Sequence, residues 1–181
     1  NRINHTASLL SNGKVLITGG GTSSTTSSST ADLFTPAGAS GAFANTVGNM
    51  KVSRSDHTQT VLSNGKVLLA GGRTSTTAVS TAEVFDPTSA VAATAFAATT
   101  NNMTGGARYA HQGTTLLNNQ VLIAGGTNGT GPLSSAEIYN PVTNTFGSAS
   151  IMVQKRSQYS LTLLNNGKVL AVGGCIAGNC T

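Results

Sequence analysis

The chain contains no tryptophan, two cysteines and four prolines, and aromatic residues make up 4% of its 181 positions. Charge is equally scarce: 8% of residues are Asp, Glu, Lys or Arg, against an ordinary share of about 25%. A coiled coil, a solvated single helix or a charge-driven disordered tail would each need more charge than this. No apolar run comes near the ~20 residues of a membrane-spanning helix, so no membrane span is read. Two thiols are too few for a structural zinc site. What takes the place of the missing types is small and polar: 27 Thr, 20 Ser and 22 Gly. Thr and Val favour strands, while Gly and Asn favour tight turns, so the chain reads as all-β.

The formal net charge is +5, but the ten basic residues stand singly apart from Lys155-Arg156. A surface that tracks phosphates needs clustered Lys and Arg, usually with aromatic stacking platforms. With neither present, nucleic acid is not expected as a partner.

The composition is organised by repetition. Gly-Gly pairs occur at Gly19-Gly20, Gly71-Gly72, Gly125-Gly126 and Gly173-Gly174, spaced by 52, 54 and 48 residues. Each pair closes an apolar run: VLITGG, VLLAGG, VLIAGG and VLAVGG. A turn precedes each run, at Asn12-Gly13, Asn64-Gly65, Asn118-Asn119 and Asn166-Gly167. Fourteen residues before each first glycine stands His5, His57, His111 or Tyr159, with Arg2, Arg54, Arg108 or Arg156 three residues earlier. Downstream follow TADLFTP, TAEVFDP and SAEIYNP, then Phe43, Phe96 or Phe146, then Met50, Met103 or Met152.

Each unit reads as four short strands. An alternating RxxH strand is reversed by Asn-Gly, the dipeptide of a two-residue type I′ turn with positive φ at both central positions. Asn118-Asn119 in the third unit is expected to bring a slight bulge or register adjustment. The second strand is apolar on both faces, as suits burial between two layers, and its glycines allow positive φ and close backbone approach. The third strand is expected to stop at Pro36, Pro87 or Pro141, since proline cannot extend a central ladder. A fourth, less regular strand carries the Phe. Four antiparallel strands in about fifty residues is the period of a propeller blade.

In its Arg-x-x-His strand, its hydrophobic strand ending in Gly-Gly, its acid-x-aromatic strand and its later aromatic, the chain resembles the kelch-repeat β-propeller family along its whole length. The NGKVLxxGG and AExxxP signatures resemble the bacterial secreted style of repeat, with a distant similarity to the galactose oxidase propeller domain. Phe stands where the family usually has Trp, which should weaken packing between blades somewhat. The resemblance implies an all-β, kelch-type propeller with the Arg/His strands around a central channel. Residues 1–181 would form a partial propeller of about three and a half four-stranded blades: units 2–53, 54–107 and 108–155, and a half unit 156–181. An incomplete ring leaves strand edges open. The expected partners are therefore further blades, from the rest of a longer chain or from sibling subunits.

His5, His57 and His111 could ring a channel and ligate a metal, but one per unit argues for scaffold residues, because a packing residue is needed in every blade. On the same logic Arg2, Arg54, Arg108 and Arg156 are expected to pair with Asp32, Glu83 and Glu137, one bridge per blade junction. Asp56 and Asp86 lie outside the repeat and have no recognisable partner. No GxSxG elbow is present, and one acid per blade is a poor arrangement for glycosidase carboxylates. Copper-radical oxidases of the galactose oxidase kind need a Tyr cross-linked to Cys, a second Tyr and two His, a set not found here. No cofactor and no catalytic residue is assigned. Cys175 and Cys180 have the spacing of a local disulfide. Asn4, Asn102, Asn128 and Asn179 head Asn-x-Ser/Thr triplets and are possible glycan acceptors. The Ser/Thr run at 22–30 is a plausible site for O-linked sugars. Loops 21–29, 73–80, 127–134 and 175–181 vary on a constant scaffold, which is where binding function resides.

The resulting expectation is a non-catalytic structural, adhesive or binding scaffold, extracellular or on the cell surface, with protein or glycan ligands. The alternative is the propeller portion of a secreted copper-radical oxidase or carbohydrate-active enzyme. An intracellular adaptor would require reduced cysteines.

Overall fold

The turn residues start the fold. In the first unit the Leu10 N–H donates to Lys14 O and the Gly13 N–H to Leu10 O, with Gly13 at φ +79°. Only the glycine takes a positive φ, so the connection is a type I turn followed by a left-handed residue, not the expected type I′ turn. Gly65, Asn119 and Gly167 occupy the same place at φ +79°, +64° and +79°. Asn119 tolerates that conformation through its short polar side chain. The third unit therefore carries no adjustment of its own, and Gln112 faces Ala124 just as Thr58 faces Ala70.

The computed structural model describes residues 1–38 and 40–177. Three four-stranded antiparallel sheets and one two-stranded sheet follow in chain order. The first is β1 (Thr6–Leu9), β2 (Val15–Thr18), β3 (Ala31–Ala37) and β4 (Ser40–Asn45), in that spatial order. The second holds β5 (Thr58–Val61), β6 (Val67–Ala70), β9 (Ala82–Phe85) and β10 (Phe96–Ala98). Its 2–3 connection forms a small hairpin of β7 (Arg73–Thr74) and β8 (Thr77–Ala78), and one helical turn, α1 (Ala92–Ala95), leads into β10. The third sheet is β11 (Gln112–Thr115), β12 (Val121–Ala124), β13 (Ala136–Asn140) and β14 (Thr145–Ser148). β15 (Ser160–Leu163) and β16 (Val169–Val172) form the last pair. Among the described residues no helix is long and apolar enough to cross a membrane.

The first strands of successive sheets are neighbours: β1 lies beside β5, β5 beside β11, and β11 beside β15. The sheets thus stack in series, with the His-bearing strands along one side. Alternation along β6 explains the stacking, because all four of its residues are buried. Val67 and Leu69 join Leu10, Leu16, Met50, Phe85 and Phe96 between the first and second sheets. Leu68 and Ala70 join Met103, Val121, Ile123, Tyr139 and Phe146 between the second and third. A strand that feeds two cores in alternation must be apolar throughout; each such side chain, once buried, contributes about 1.5–3 kcal/mol.

The aromatic of each third strand faces that of the fourth directly across the ladder: Phe34 and Phe43, Phe85 and Phe96, Tyr139 and Phe146. Their ring centroids lie 4.9, 4.8 and 5.1 Å apart in tilted pairs, a favourable arrangement. Pro87 and Pro141 follow their strands as expected, but Pro36 lies within β3, opposite Gly41. There β3 has run past β2, whose pairing ends at Phe34, so the proline withholds no hydrogen bond from a central ladder.

Candidate functional site

Among the described residues, the 2–3 connections of the three four-stranded sheets and the links from one sheet to the next meet at one end of the molecule, the end marked by the Gly-Gly pairs. The first glycine of a pair sits under the following sheet. A Cβ on Gly71 (φ +60°) would fall 2.5 Å from the Arg108 carbonyl oxygen and 2.7 Å from His111 Cε1. Gly19 stands in the same way against Arg54 and His57, and Gly125 against Arg156 and Tyr159. The second glycine is blocked by its own unit: a Cβ on Gly72 would meet His57 Cβ at 2.8 Å, and one on Gly126 would meet His111 Cβ at 2.7 Å. Its N–H donates across the junction, from Gly20 to Arg54 O, Gly72 to Arg108 O and Gly126 to Arg156 O, at 2.8–2.9 Å.

The repeated ring side chains reach back into the preceding sheet. His57 Nε2 lies 2.8 Å from Thr6 Oγ1 and 2.9 Å from Thr18 Oγ1. His111 Nε2 lies 2.9 Å from Thr58 Oγ1, and its ring also bonds the Ala70 backbone. The Tyr159 hydroxyl donates to Ala124 O at 2.8 Å, so the same seat accepts either ring. Burial first, and then the nearby Arg54 or Arg108 charge, push both histidines down to about 3, and they stay neutral at physiological pH. Burial likewise raises the Tyr159 hydroxyl to about 12. Among the described residues no group of three His, Cys, Asp or Glu side chains is placed to hold a metal ion.

The repeated arginines bind within their own units. Arg54, fully buried, donates from Nη1 to Gly71 O and Thr81 O, and from Nη2 to Glu83 Oε1 at 3.0 Å. Glu83 accepts in addition from the N–H groups of Lys51 and Val52, on the link arriving from the first unit. Arg108 and Glu137 repeat the arrangement at 3.2 Å, with Thr104 on the incoming link. The ion pair is therefore internal to a unit, and the carboxylate carries it to the junction, joined in the third unit by Arg108 Nη2 donating to Gly105 O at 3.2 Å. Burial lowers both guanidinium pKa values, and the facing glutamates oppose the shift. Arg2–Asp32 at the first sheet is the same pair, part-exposed, at 2.6 Å.

Two acids read as solitary have partners. Asp56 pairs with Arg73 at 2.7 Å and Asp86 with Lys66 at 2.9 Å. Hydrogen bonds from Thr88 and Lys66 hold the Asp86 carboxyl at about 2. Repeat arithmetic could not find these pairs, because Asp56, Arg73 and Asp86 have no charged counterpart in the other units. Asn4, Asn102 and Asn128 are exposed, and Asn128 Oδ1 accepts from the Thr130 N–H and hydroxyl. Asn179 and Cys180, and with them the suggested Cys175–Cys180 pairing, lie outside the described residues. Cys175 itself bridges Ser157 backbone to backbone.

One ring of residues escaped the sequence reading. Asn4, Asp56, Ala110 and Gln158 all adopt positive φ, between +51° and +56°. The N–H of each of the last three donates to the carbonyl of its counterpart in the previous unit at 3.0 Å: Asp56 to Asn4, Ala110 to Asp56, Gln158 to Ala110. The contact common to all three is made by the backbone, with a 3.5 Å bond from Asn4 Nδ2 to Asp56 Oδ2 added in the first, so no residue type marks the column. Beside it, Ile3, Ser55, Tyr109 and Ser157 bridge Gly21, Arg73, Thr127 and Cys175. The Arg73 guanidinium lies 5.1 Å from the centroid of the Tyr109 ring. The non-repeated chemistry of the molecule thus gathers at the mouth of the inner strands.

A family model for the Kelch motif matches residues 108–152. That span is the third unit, and it supports a kelch-repeat assignment. The second unit places the same Arg, ring, Gly-Gly and acid columns in the same contacts, and the stacked four-stranded sheets are consistent with kelch propeller blades. No curated protein matches the chain.

Proposed function

We propose that this chain is part of a kelch-type β-propeller of the secreted type, a non-catalytic scaffold. Further blades complete its ring, and its Gly-Gly end presents the recognition surface. Kelch repeats support a binding or scaffold role, and the observation that carries this reading is the division of labour between columns. In the interior sheets the recurring Arg, His and acid residues are consumed by packing: His57 and His111 as neutral stitches, Arg54–Glu83 and Arg108–Glu137 as internal pairs. What varies is displayed at one end, on a framework fixed by backbone hydrogen bonds, as loop-borne recognition requires. The need for further blades is supported by the two outer sheets. Phe43 is 70% exposed and Val172 55% exposed, although their counterparts in the interior sheets are buried. The open first sheet also forms an apolar cleft of about 420 Å³ along Val15, Ile17, Phe34 and Phe43.

Intact mass and metal analysis of the natural polypeptide test the reading. The expected outcome is a chain with additional Arg-x-x-His…Gly-Gly units and no stoichiometric copper. A monomeric natural chain without further units, or one copper per molecule, would overturn it in favour of another assembly or of an oxidase.

A further inference from the structure

We infer that the cleft beside Tyr109, at the Gly-Gly end of the third unit, is a binding site for a neutral saccharide residue. The inference rests on the scaffold reading above and names the ligand class of its recognition end. The cleft has a volume of about 240 Å³ and is walled by Tyr109, Thr127, Thr130, Pro132 and Gln158, with Gly129 and Gly131 between them. That is below the ~300–1,000 Å³ of sites for drug-sized ligands, which suits a single ring-sized group.

The chemistry of the wall selects the class. None of its residues carries a charge at neutral pH. The nearest charges at the mouth, Asp56 and Arg73, neutralise each other at 2.7 Å. An anionic or cationic ligand would therefore find no free counter-charge. A wholly apolar ligand would cover the Gln158 amide and the remaining hydrogen-bonding capacity of the Thr127 and Thr130 hydroxyls, which already bond Gly129 N–H and Asn128 Oδ1, at a cost. Among the described residues the Gln158 amide nitrogen has no protein acceptor, so it is available to donate. A saccharide ring presents what remains: hydroxyls for Thr127, Thr130 and Gln158, and a C–H face for the Tyr109 ring.

The site is also rigid before any ligand arrives. Tyr109 and Thr127 exchange both backbone hydrogen bonds at 2.9 Å, Thr127 bridges Pro132, and the Leu133 N–H donates to Gly126 O at 2.8 Å. Asn128 Oδ1 closes the loop tip onto Thr130. A preformed site spares the ligand the entropy of ordering it. Tyr109 is the aromatic member of a column otherwise filled by Ile3, Ser55 and Ser157. The Arg73 guanidinium covers one side of its ring.

The test is titration of the intact chain with maltotriose, cellotriose and tri-N-acetylchitotriose, read by saturation-transfer NMR and calorimetry. Glucose 6-phosphate and a neutral hexapeptide serve as comparators. Saturable binding of at least one trisaccharide is expected, weakened tenfold or more by Tyr109→Ala and by Gln158→Ala and changed less than threefold by Tyr109→Phe. Thermal melting checks that the variants fold; if Tyr109→Ala does not, Thr130→Val and Gln158→Ala decide. Failure of every trisaccharide to saturate, equal affinity in the folded variants, or tighter binding of either comparator would overturn the assignment. None of these results bears on the mass and copper measurements, so the scaffold reading stands or falls separately.

Discussion

At the residue scale the glycine pairs show how one atom type is dictated by a neighbour distant in sequence. Gly13 and Gly71 both have positive φ, but a Cβ on Gly13 meets nothing within 4 Å, whereas one on Gly71 runs into the Arg108 carbonyl and the His111 ring. Gly13→Ala should therefore cost only the left-handed conformation, about 1–2 kcal/mol. Gly71→Ala adds a backbone clash and should cost several kcal/mol beyond that, or prevent folding. Urea denaturation of the two variants checks the ranking, and equal losses would contradict it. The sequence marked both places as positions that favour a positive φ. It could not show that one requirement is local and the other imposed from the next sheet, because only stacking brings Arg108 over Gly71.

At the element scale the inner strands are joined by ring side chains whose protonation is tied to folding. Folded, His57 and His111 titrate near 3; unfolded, they titrate near the ordinary 6.5. Between those values the unfolded chain binds protons that the folded chain refuses, so stability rises with pH across this window and is fully present above about 6.5. Each histidine should contribute a slope of about 1.4 kcal/mol per pH unit. Urea midpoints at pH 7 and pH 5 measure this clear of Asp86, whose carboxyl is held at about 2. His111→Tyr should keep the fold, since Tyr159 fills the same seat in the fourth unit, and should remove about half of the slope. An unchanged slope would show that these rings do not control it. The recurrence of His5, His57, His111 and Tyr159 at one repeat position already suggested a structural seat, but the direction of its reach, back to Thr18, Ala70 and Ala124, comes from the stacking.

At the scale of the whole molecule the two outermost sheets are the uncovered ones. Among the described residues a Cβ on Gly173 meets nothing within 4 Å, unlike its counterparts Gly19, Gly71 and Gly125. Gly173→Ala in residues 1–181 should therefore behave like Gly13→Ala. In the natural polypeptide, if a further blade covers this sheet, the same change should be as damaging as Gly71→Ala. Comparing the melting temperatures of both variants in both lengths of chain measures the covering directly; a mild effect in both would mean that no blade seats there.

Periodicity, turn residues and the Gly-Gly columns were enough to determine strands, their number per unit and the apolar faces that must meet, because backbone propensity and side-chain alternation act within a few residues. They misjudged details set by neighbours: Pro36 within a strand, a turn with one left-handed residue in place of two, and acids that seemed unpaired. The tertiary structure alone decided the mouth. Its ring of left-handed residues is held by carbonyl and amide groups that every amino acid carries, so Asn4, Asp56, Ala110 and Gln158 look unrelated until the sheets stack. For the same reason Tyr109, Arg73 and Asp56, unlike one another and unlike their counterparts in the other units, meet only when the backbone brings their columns together.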